Sequence, residues 1–202
     1  MAFSCPACNR VTRHRLALNK DGYNIFRCEF CSLGRTNVTG FRPEDHYDAG
    51  YFSGQREDGY RDYVGSAATL SKEFVGTLDF LRQVGPKTGR LLEVGCAYGF
   101  FLQEASRHYE VSGVEISNDA VAYCHGAGLS RVHAGRLRDD TFPAGTMFDV
   151  VVMLDVIEHL DELEETISNS WPFEGRGQIR PQGQSSAANK THWHRAATSL
   201  GD

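Results

Sequence analysis

The sequence predicts an α/β protein in which helices cover a parallel sheet of about four strands, preceded by a small four-cysteine unit. Between residues 89 and 170, short apolar runs of strand length alternate with helical patterns, which is typical of a parallel sheet covered by helices. Before residue 32, four of the six cysteines stand as two C-x2-C pairs. With 202 residues, of which 41% are hydrophobic and 23% charged, the chain suits one ordinary globular domain with a small appendage.

The overall charge and the apolar runs exclude several classes of protein. A formal net charge of −5 argues against general nucleic-acid binding, because a phosphate-binding face normally shows as a basic excess. The first ten residues contain no apolar stretch of signal-peptide length, and the longest apolar run, residues 150–154, is too short to span a bilayer. We therefore expect a cytoplasmic protein with reduced thiols and with neither a membrane nor a nucleic-acid partner.

The first unit, residues 1–36, has the pattern of a zinc ribbon. Strand-like residues 13–19 and 23–27 flank Lys20-Asp21-Gly22, and Asp-Gly is a strong hairpin turn signal that brings the two cysteine pairs together. Four thiolates form a closed tetrahedral zinc site, which supplies folding energy to a segment too small for its own core. A metal-free remnant and a redox pair are the alternatives. The predicted metal ligands are Cys5, Cys8, Cys28 and Cys31.

Residues 37–88 are predicted to form a linker and one helix. The stretch 34–64 reads as irregular, and its tyrosines at 47, 51, 60 and 63 are either a lid over a ligand or anchors that dock the linker onto the next domain. Ser66 is a suitable N-cap, and Gly85-Pro86 ends the helical pattern. An amphipathic helix between them is indicated by Leu70, Phe74, Leu78 and Leu81.

Residues 89–170 carry the alternating pattern. Strands are predicted at 90–94, 111–115, 131–134 and 148–154, with helices at 100–108 and 118–126 and a further helix that begins with Leu160, Leu163 and Ile167. In such sheets ligands bind at the carboxyl ends of the strands, where the chain direction from the first strand reverses.

The turn after the first of these strands is predicted to hold a ligand. Gly95 lets the backbone approach a ligand closely, and the helix beyond Gly99 points amides into the gap. A dinucleotide site would have glycine at the positions of Ala97 and Phe100. Glu93 places negative charge beside the gap, which opposes a pyrophosphate and favours a cationic ligand.

The segment LLEVGCAYG resembles motif I of the class I S-adenosylmethionine-dependent methyltransferases, with alanine in place of the common middle glycine. The resemblance covers residues 47–163 and includes VSGVEIS, VHAGRL, in which Arg138 stands where the family often has an acid, and FDVVVMLDVIEHL. The last segment resembles the subgroup that methylates small molecules. The family has a Rossmann-like sheet, here incomplete with about four strands.

The resemblance also implies roles for individual residues. Glu93, Gly95, Ala97 and Gly99 would surround the methionine part of S-adenosylmethionine. Glu115 and Ile116 would contact the ribose and adenine, and Arg136 with Leu137 the adenine edge. Asp155 would lie near the methyl group, and His159 either acts as general base or caps or braces the turn. The partner would be a small-molecule methyl acceptor, which the sequence does not identify.

Two other classes of function stay open at this stage. One is a non-catalytic zinc-ribbon module that binds a protein or acceptor and carries a degenerate cofactor domain. The other is a nucleotide-dependent oxidoreductase, which Glu93 and Phe100 oppose. The non-catalytic module predicts no affinity for S-adenosylmethionine, and titration with NADH tests the oxidoreductase.

The pattern changes after Ile167. Residues 171–202 have no β-branched run and no sustained apolar period. Such a segment cannot bury enough apolar surface to offset the conformational entropy that is lost when the chain is ordered. We expect a disordered, foreign ending on a truncated methyltransferase. Strand 148–154 would then be an exposed apolar edge, so we expect oligomerisation or poor solubility and little or no activity.

Overall fold

The computed structural model describes residues 1–36, 42–160 and 166. The predicted helix from Leu160 onward lies almost wholly outside these residues, as does the predicted disorder of 171–202. No helix in the described part of the chain is long and apolar enough to cross a membrane.

The N-terminal unit is a four-stranded antiparallel sheet in the order β1-β2-β3-β4. Its strands are β1 Ala2–Cys5, β2 Arg10–Lys20, β3 Tyr23–Cys28 and β4 Gly34–Thr36. Asp21 and Gly22 join β2 to β3 with φ angles of 52° and 84°, as a two-residue hairpin turn with two left-handed residues requires. The predicted hairpin is therefore confirmed. The outer strands β1 and β4 were not predicted, because each is short and lies beside a cysteine turn.

The stretch from 42 to 64 is more regular than predicted. It contains two one-turn helices, α1 Pro43–His46 and α2 Ala49–Phe52. Pro43 occupies the first helical turn of α1, and the Asp48 side chain accepts the Tyr51 N–H at 3.0 Å to start α2. The prediction of an irregular segment was wrong here, because single-turn helices held by local caps leave no periodic signal.

Helix α3, Ala67–Val84, follows the prediction closely. Leu78 is buried, Phe74 and Leu81 pack against the same core, and Gly85 ends the helix. Ser66 stands at the N-cap position, but its hydroxyl donates to the Asp62 carbonyl at 2.7 Å instead of accepting a helix N–H. The expected capping bond of Ser66 is therefore absent.

The remaining elements form a parallel sheet in the order β7-β6-β5-β8, with β8 at one edge in the described part of the chain. The elements are β5 Gly89–Val94, α4 Phe100–Ala105, β6 Tyr109–Glu115, α5 Asn118–Gly126, β7 Val132–Ala134 and β8 Val150–Val152. Apolar clusters lie on both faces of this sheet, one with α3, α4 and α5 and the other around Leu92 and Leu137. The predicted parallel α/β fold is confirmed.

One predicted helix and one predicted strand were too long. Helix α4 ends at Ala105 rather than at residue 108, since the Ser106 hydroxyl bonds back to the Gln103 carbonyl at 2.7 Å. Strand β8 pairs only over Val150–Val152, because the Asp149 carboxylate accepts the Arg90 N–H at 2.7 Å and Asp155 turns the chain with a φ of 53°.

Candidate active site and metal centre

One cavity of about 270 Å³ lies at the carboxyl ends of β5, β6 and β8, under the linker that carries α1 and α2. It is where a ligand binds in a parallel sheet of this kind. Most of the predicted cofactor and catalytic residues line it, namely Glu93, Gly95, Ala97, Glu115, Ile116, Arg136, Leu137, Asp155 and His159. Gly99 is not among the lining residues.

The glycines of the β5–α4 turn are required by the protein itself. Gly95 has a φ of 73°, and a Cβ there would collide with the Val156 side chain from the loop after β8. Gly99 also has a φ of 73°, and its Cβ would lie 2.9 Å from the Cys124 Sγ on α5. The turn is thus built by close packing against two neighbouring elements, in addition to any ligand it approaches. Ala97 between them adopts a φ of 45°, a conformation that favours glycine.

Glu93 brings a buried carboxylate to the cavity wall. The side chain is 3% exposed, and its Oε2 has no hydrogen-bond partner in the described residues. Burial raises the pKa of Glu93 well above its ordinary value, and the neighbouring Cys124 and Glu115 raise the pKa further. A buried polar atom without a partner is costly, so this oxygen is suited to a donor or a cation supplied by a ligand.

Glu115 links two turns of the site. Its Oε2 accepts the Ala97 N–H at 2.8 Å, and its Oε1 accepts the Ser117 N–H at 2.8 Å. Burial raises the pKa of Glu115, while these backbone hydrogen bonds oppose the rise. The carboxylate therefore fixes the β5–α4 turn to the end of β6, a structural role that the sequence prediction missed.

The loop after β7 contributes an apolar residue and a charged one. Leu137 is buried against Leu92, Val94 and Val114 while it lines the cavity. The guanidinium of Arg136 forms an ion pair with Glu44 on α1, with Nε 2.5 Å from Oε1. This pairing lowers the pKa of Glu44 to about 2 and joins the linker to the α/β domain.

The tyrosines of the linker both line the cavity and anchor the linker. Tyr47, Tyr51 and Tyr60 form edge-to-face contacts in series, with ring centroids 4.9 Å and 5.7 Å apart. Tyr63 is 8% exposed and stacks on Phe100 at the start of α4, with centroids 5.5 Å apart. Burial raises the pKa of Tyr47 to about 12, so its phenol is neutral at physiological pH. The two interpretations of the sequence are therefore compatible, since Tyr63 both lines the cavity and packs against α4.

Asp155 and His159 lie at the opening of the cavity. Both are exposed, and His159 ends the 3-10 turn Ile157–His159. The His159 ring is 5.9 Å from the Tyr47 ring, nearly perpendicular to it. The His159 side chain therefore reaches the cavity beside the linker tyrosines.

The four cysteines of the N-terminal unit converge as their spacing predicts. All four sulfur atoms lie within 4.8 Å of one another, with Cys5 3.6 Å from Cys31 and Cys8 3.8 Å from Cys28. A tetrahedral site with Zn–S bonds of about 2.3 Å places sulfurs about 3.8 Å apart, so the donor set fits zinc.

The thiols of the cluster differ in the direction in which their surroundings shift the pKa. The Thr12 hydroxyl lies 3.2 Å from the Cys28 sulfur and is the main cause that lowers the pKa of that thiol to about 5. Burial, in contrast, raises the pKa of Cys8 and Cys31. A divalent metal would reverse that rise by stabilising all four thiolates. Thr12 was not predicted from the sequence, because strand pairing and not cysteine spacing brings it to the cluster.

Comparison with known proteins defines the class. Residues 67–170 match the sequence profile of a methyltransferase domain family, and the chain belongs to this family. Its parallel sheet, covered by helices, is of the Rossmann-like kind. No curated protein matches the chain.

Several solved structures resemble parts of the chain. DesVI of Streptomyces venezuelae is 24% identical over 54% of this chain and 48% of its own, with a TM-score of 0.45. CalS10, an amino pentose methyltransferase from Micromonospora echinaspora, is 29% identical over 52% and 48%, with a TM-score of 0.42. The magnesium protoporphyrin IX methyltransferase ChlM of Synechocystis is 21% identical over 63% and 64%, with a TM-score of 0.46. The chain spans about half the length of the first two.

Proposed function

We propose that the cavity binds S-adenosylmethionine and that the chain transfers its methyl group to a small-molecule acceptor. The observation that carries the proposal is the buried, unpartnered carboxylate oxygen of Glu93 beside the Gly95 turn. A ligand with cationic groups would supply the missing partner, and S-adenosylmethionine has both an ammonium and a sulfonium. When bound, this cofactor supplies an electrophilic methyl group.

The residues around the cavity divide between parts of the cofactor. Glu93, Gly95 and Ala97 would hold the methionine part, with Gly99 shaping the turn from behind. Glu115 would accept the ribose hydroxyls, because each of its oxygens accepts one backbone N–H and retains capacity for a second donor. Ile116, Arg136 and Leu137 would border the adenine.

The linker and the loop after β8 would receive the acceptor. Tyr47, Tyr51 and Tyr60 exclude water and present ring faces and edges to a cationic centre, which favours binding through cation–π attraction. Asp155 would lie near the methyl group. His159 would take the proton from an acceptor hydroxyl or carbon acid at a ring nitrogen. The remaining task is alignment of the acceptor.

We also propose that Cys5, Cys8, Cys28 and Cys31 hold one zinc ion. Four thiolates leave no open coordination position, so this metal would stabilise the ribbon and take no part in methyl transfer. The domain division that we propose is 1–36 for the ribbon, 37–88 for the linker and helix α3, 89–170 for the cofactor domain, and 171–202 for the atypical tail. The family match begins at residue 67 and therefore includes α3.

Binding and turnover are separate parts of the proposal. The composition of 171–202 leads us to propose little or no turnover by this chain. In the described part of the chain β8 lies at one edge of the sheet, and an open apolar edge there would favour association between copies. Cofactor binding depends on neither. A screen of metabolites with radiolabelled cofactor would identify the acceptor.

The test of the proposal is calorimetric titration with S-adenosylmethionine. Glu115→Ala should weaken binding by about 1–3 kcal/mol through lost charge-assisted hydrogen bonds. Glu115→Gln separates the loss of bonds to the cofactor from disruption of the β5–α4 turn, because the amide oxygen still accepts one of the two backbone N–H groups. Gly95→Val should abolish binding, with circular dichroism to establish whether the contact with Val156 has also disrupted the fold. No affinity in the folded wild-type chain would favour the non-catalytic ribbon module, and tight NADH binding would favour the oxidoreductase.

A further inference from the structure

One face of the ribbon sheet carries a cluster of cations. Side chains alternate between the two faces of a strand, so Arg13 and Arg15 on β2 share a face. Arg15 stands directly opposite Arg27 on β3. The register shift between Leu16 and Leu18 brings Lys20, opposite Tyr23, to the same side. Arg13, Arg15, Lys20 and Arg27 are all exposed and together define the basic ribbon face.

The same face carries exposed apolar side chains. Val11 is 71% exposed, Leu18 47% and Tyr23 56%, and strand alternation and pairing place all three among the cations. The opposite face holds the buried residues of the ribbon, including His14, Phe26 and Cys28. The basic ribbon face is therefore not needed to form the interior of the unit.

The cations of this face lack partners within the ribbon. Residues 1–36 contain six Lys and Arg and only two acidic residues, Asp21 and Glu29. In the described part of the chain neither acid forms an ion pair with Arg13, Arg15 or Arg27. Like charges directly opposite each other destabilise a strand pair, so the pairing of Arg15 with Arg27 opposes folding of the free ribbon. An anionic partner would relieve this repulsion.

The rest of the chain has the opposite charge. Residues 42–160 contain eleven Lys and Arg against eighteen Asp and Glu. A long polyanion that extends past the ribbon would be repelled by the excess carboxylates of residues 42–160. A compact acidic patch on another protein would feel little of this repulsion, because charges further apart than about 8 Å are screened at physiological ionic strength.

We infer that the basic ribbon face docks an acidic protein partner, one that presents apolar side chains between carboxylates. Guanidinium groups match carboxylates with paired hydrogen bonds. Val11 and Leu18 can pack against apolar side chains of a protein partner. A phosphate backbone has no apolar groups to place there. The interaction is independent of methyl transfer and gives the ribbon a role in recognition.

The test uses the full zinc-loaded chain and a fluorescein-labelled acidic peptide with leucine at every third or fourth position and glutamate elsewhere. Fluorescence anisotropy should show saturable binding that weakens with added salt. The triple variant Arg13→Ser/Arg15→Ser/Arg27→Ser should weaken binding by about tenfold or more, because three exposed ion pairs with the peptide are lost.

Three comparisons keep the inference falsifiable. The matched variant Arg61→Ser/Lys72→Ser/Lys87→Ser removes the same charge from exposed positions outside the ribbon and should bind as the wild type does. Polyglutamate of equal length should bind more weakly than the leucine-containing peptide. If the triple variant loses zinc, the single variants Arg15→Glu and Leu18→Ser replace it.

Each contrary outcome overturns the inference. These outcomes are absence of peptide binding, an equal loss in the matched variant, no preference for leucine over polyglutamate, and tighter binding of an oligothymidylate of the same charge. The last result would assign the face to single-stranded nucleic acid.

Discussion

Replacing Glu93 with glutamine should change stability and cofactor affinity in opposite directions. The carboxylate is 3% exposed with an unpartnered oxygen, and its pKa is raised by burial. An acid with a raised folded pKa contributes stability at low pH and loses it as the pH rises through that pKa. Glu93→Gln removes the buried charge and should stabilise the cofactor-free protein above that pKa by about 1–3 kcal/mol. The expected rise in Tm is roughly 2–4 °C per kcal/mol for a chain of this length.

The same substitution should weaken S-adenosylmethionine binding. Loss of a charge-assisted interaction with a cationic ligand costs about 1.5–3 kcal/mol, or roughly a 10- to 150-fold increase in Kd. Wild-type affinity should also fall as the pH is lowered through the raised pKa of Glu93, and the variant should lack this dependence. Differential scanning fluorimetry from pH 5 to 8 and calorimetry measure the two effects.

The control for this experiment is Glu57→Gln, which removes an exposed carboxylate from the linker. It should change neither Tm nor Kd beyond error. A Glu93→Gln protein that is less stable than the wild type at every pH, or that binds the cofactor as tightly as the wild type at every pH, would refute the reasoning.

Four further changes have definite expected results. Cys28→Ser should abolish stoichiometric zinc by elemental analysis, and either full zinc in the variant or none in the wild type would contradict the metal site. Ala97→Gly should raise the free energy of unfolding by about 0.5–1 kcal/mol by relieving the left-handed φ of 45°, so a loss of stability in denaturant titration would be inconsistent with that backbone. If the chain turns over an acceptor, His159→Gln should lower kcat by about 10²-fold or more with cofactor Kd unchanged, and an unchanged kcat would exclude a general base there. Size-exclusion should show both the full chain and a version that ends at Ser170 to be associated, because both contain β8, and proton NMR should show no dispersed signals that are lost on this truncation. A monodisperse chain with a structured, protected tail would contradict this expectation.

Local patterns predicted the regular elements well. The apolar run that became β5, the helix Asn118–Gly126 and the Asp-Gly hairpin each have a signal contained within about ten residues. Their boundaries were less predictable, because side chains such as Asp149 and Ser106 end an element by bonding to the backbone.

The parts of the site that were missed depend on residues distant in sequence. Glu44 and Arg136 are 92 residues apart, and nothing near either one indicates the ion pair. Likewise, Gly95 has the expected position, but the collision with Val156 that a side chain would cause is visible only after β8 has paired with β5. Spacing identifies which residues have the right chemistry, whereas the partners that restrain them come from tertiary packing.

The pairing of β5 with β8 determines when the Gly95 turn is completed during synthesis. Arg90 and Asp149 are 59 residues apart, and Val156, which packs on Gly95, is translated later still. The ribbon hairpin closes through only two residues. Chains emerge from the ribosome N-terminus first, and distant contacts form slowly. The hairpin is therefore expected to form before Val156 packs against the Gly95 turn. During that interval, the Gly95 turn is open to solvent and to chaperones.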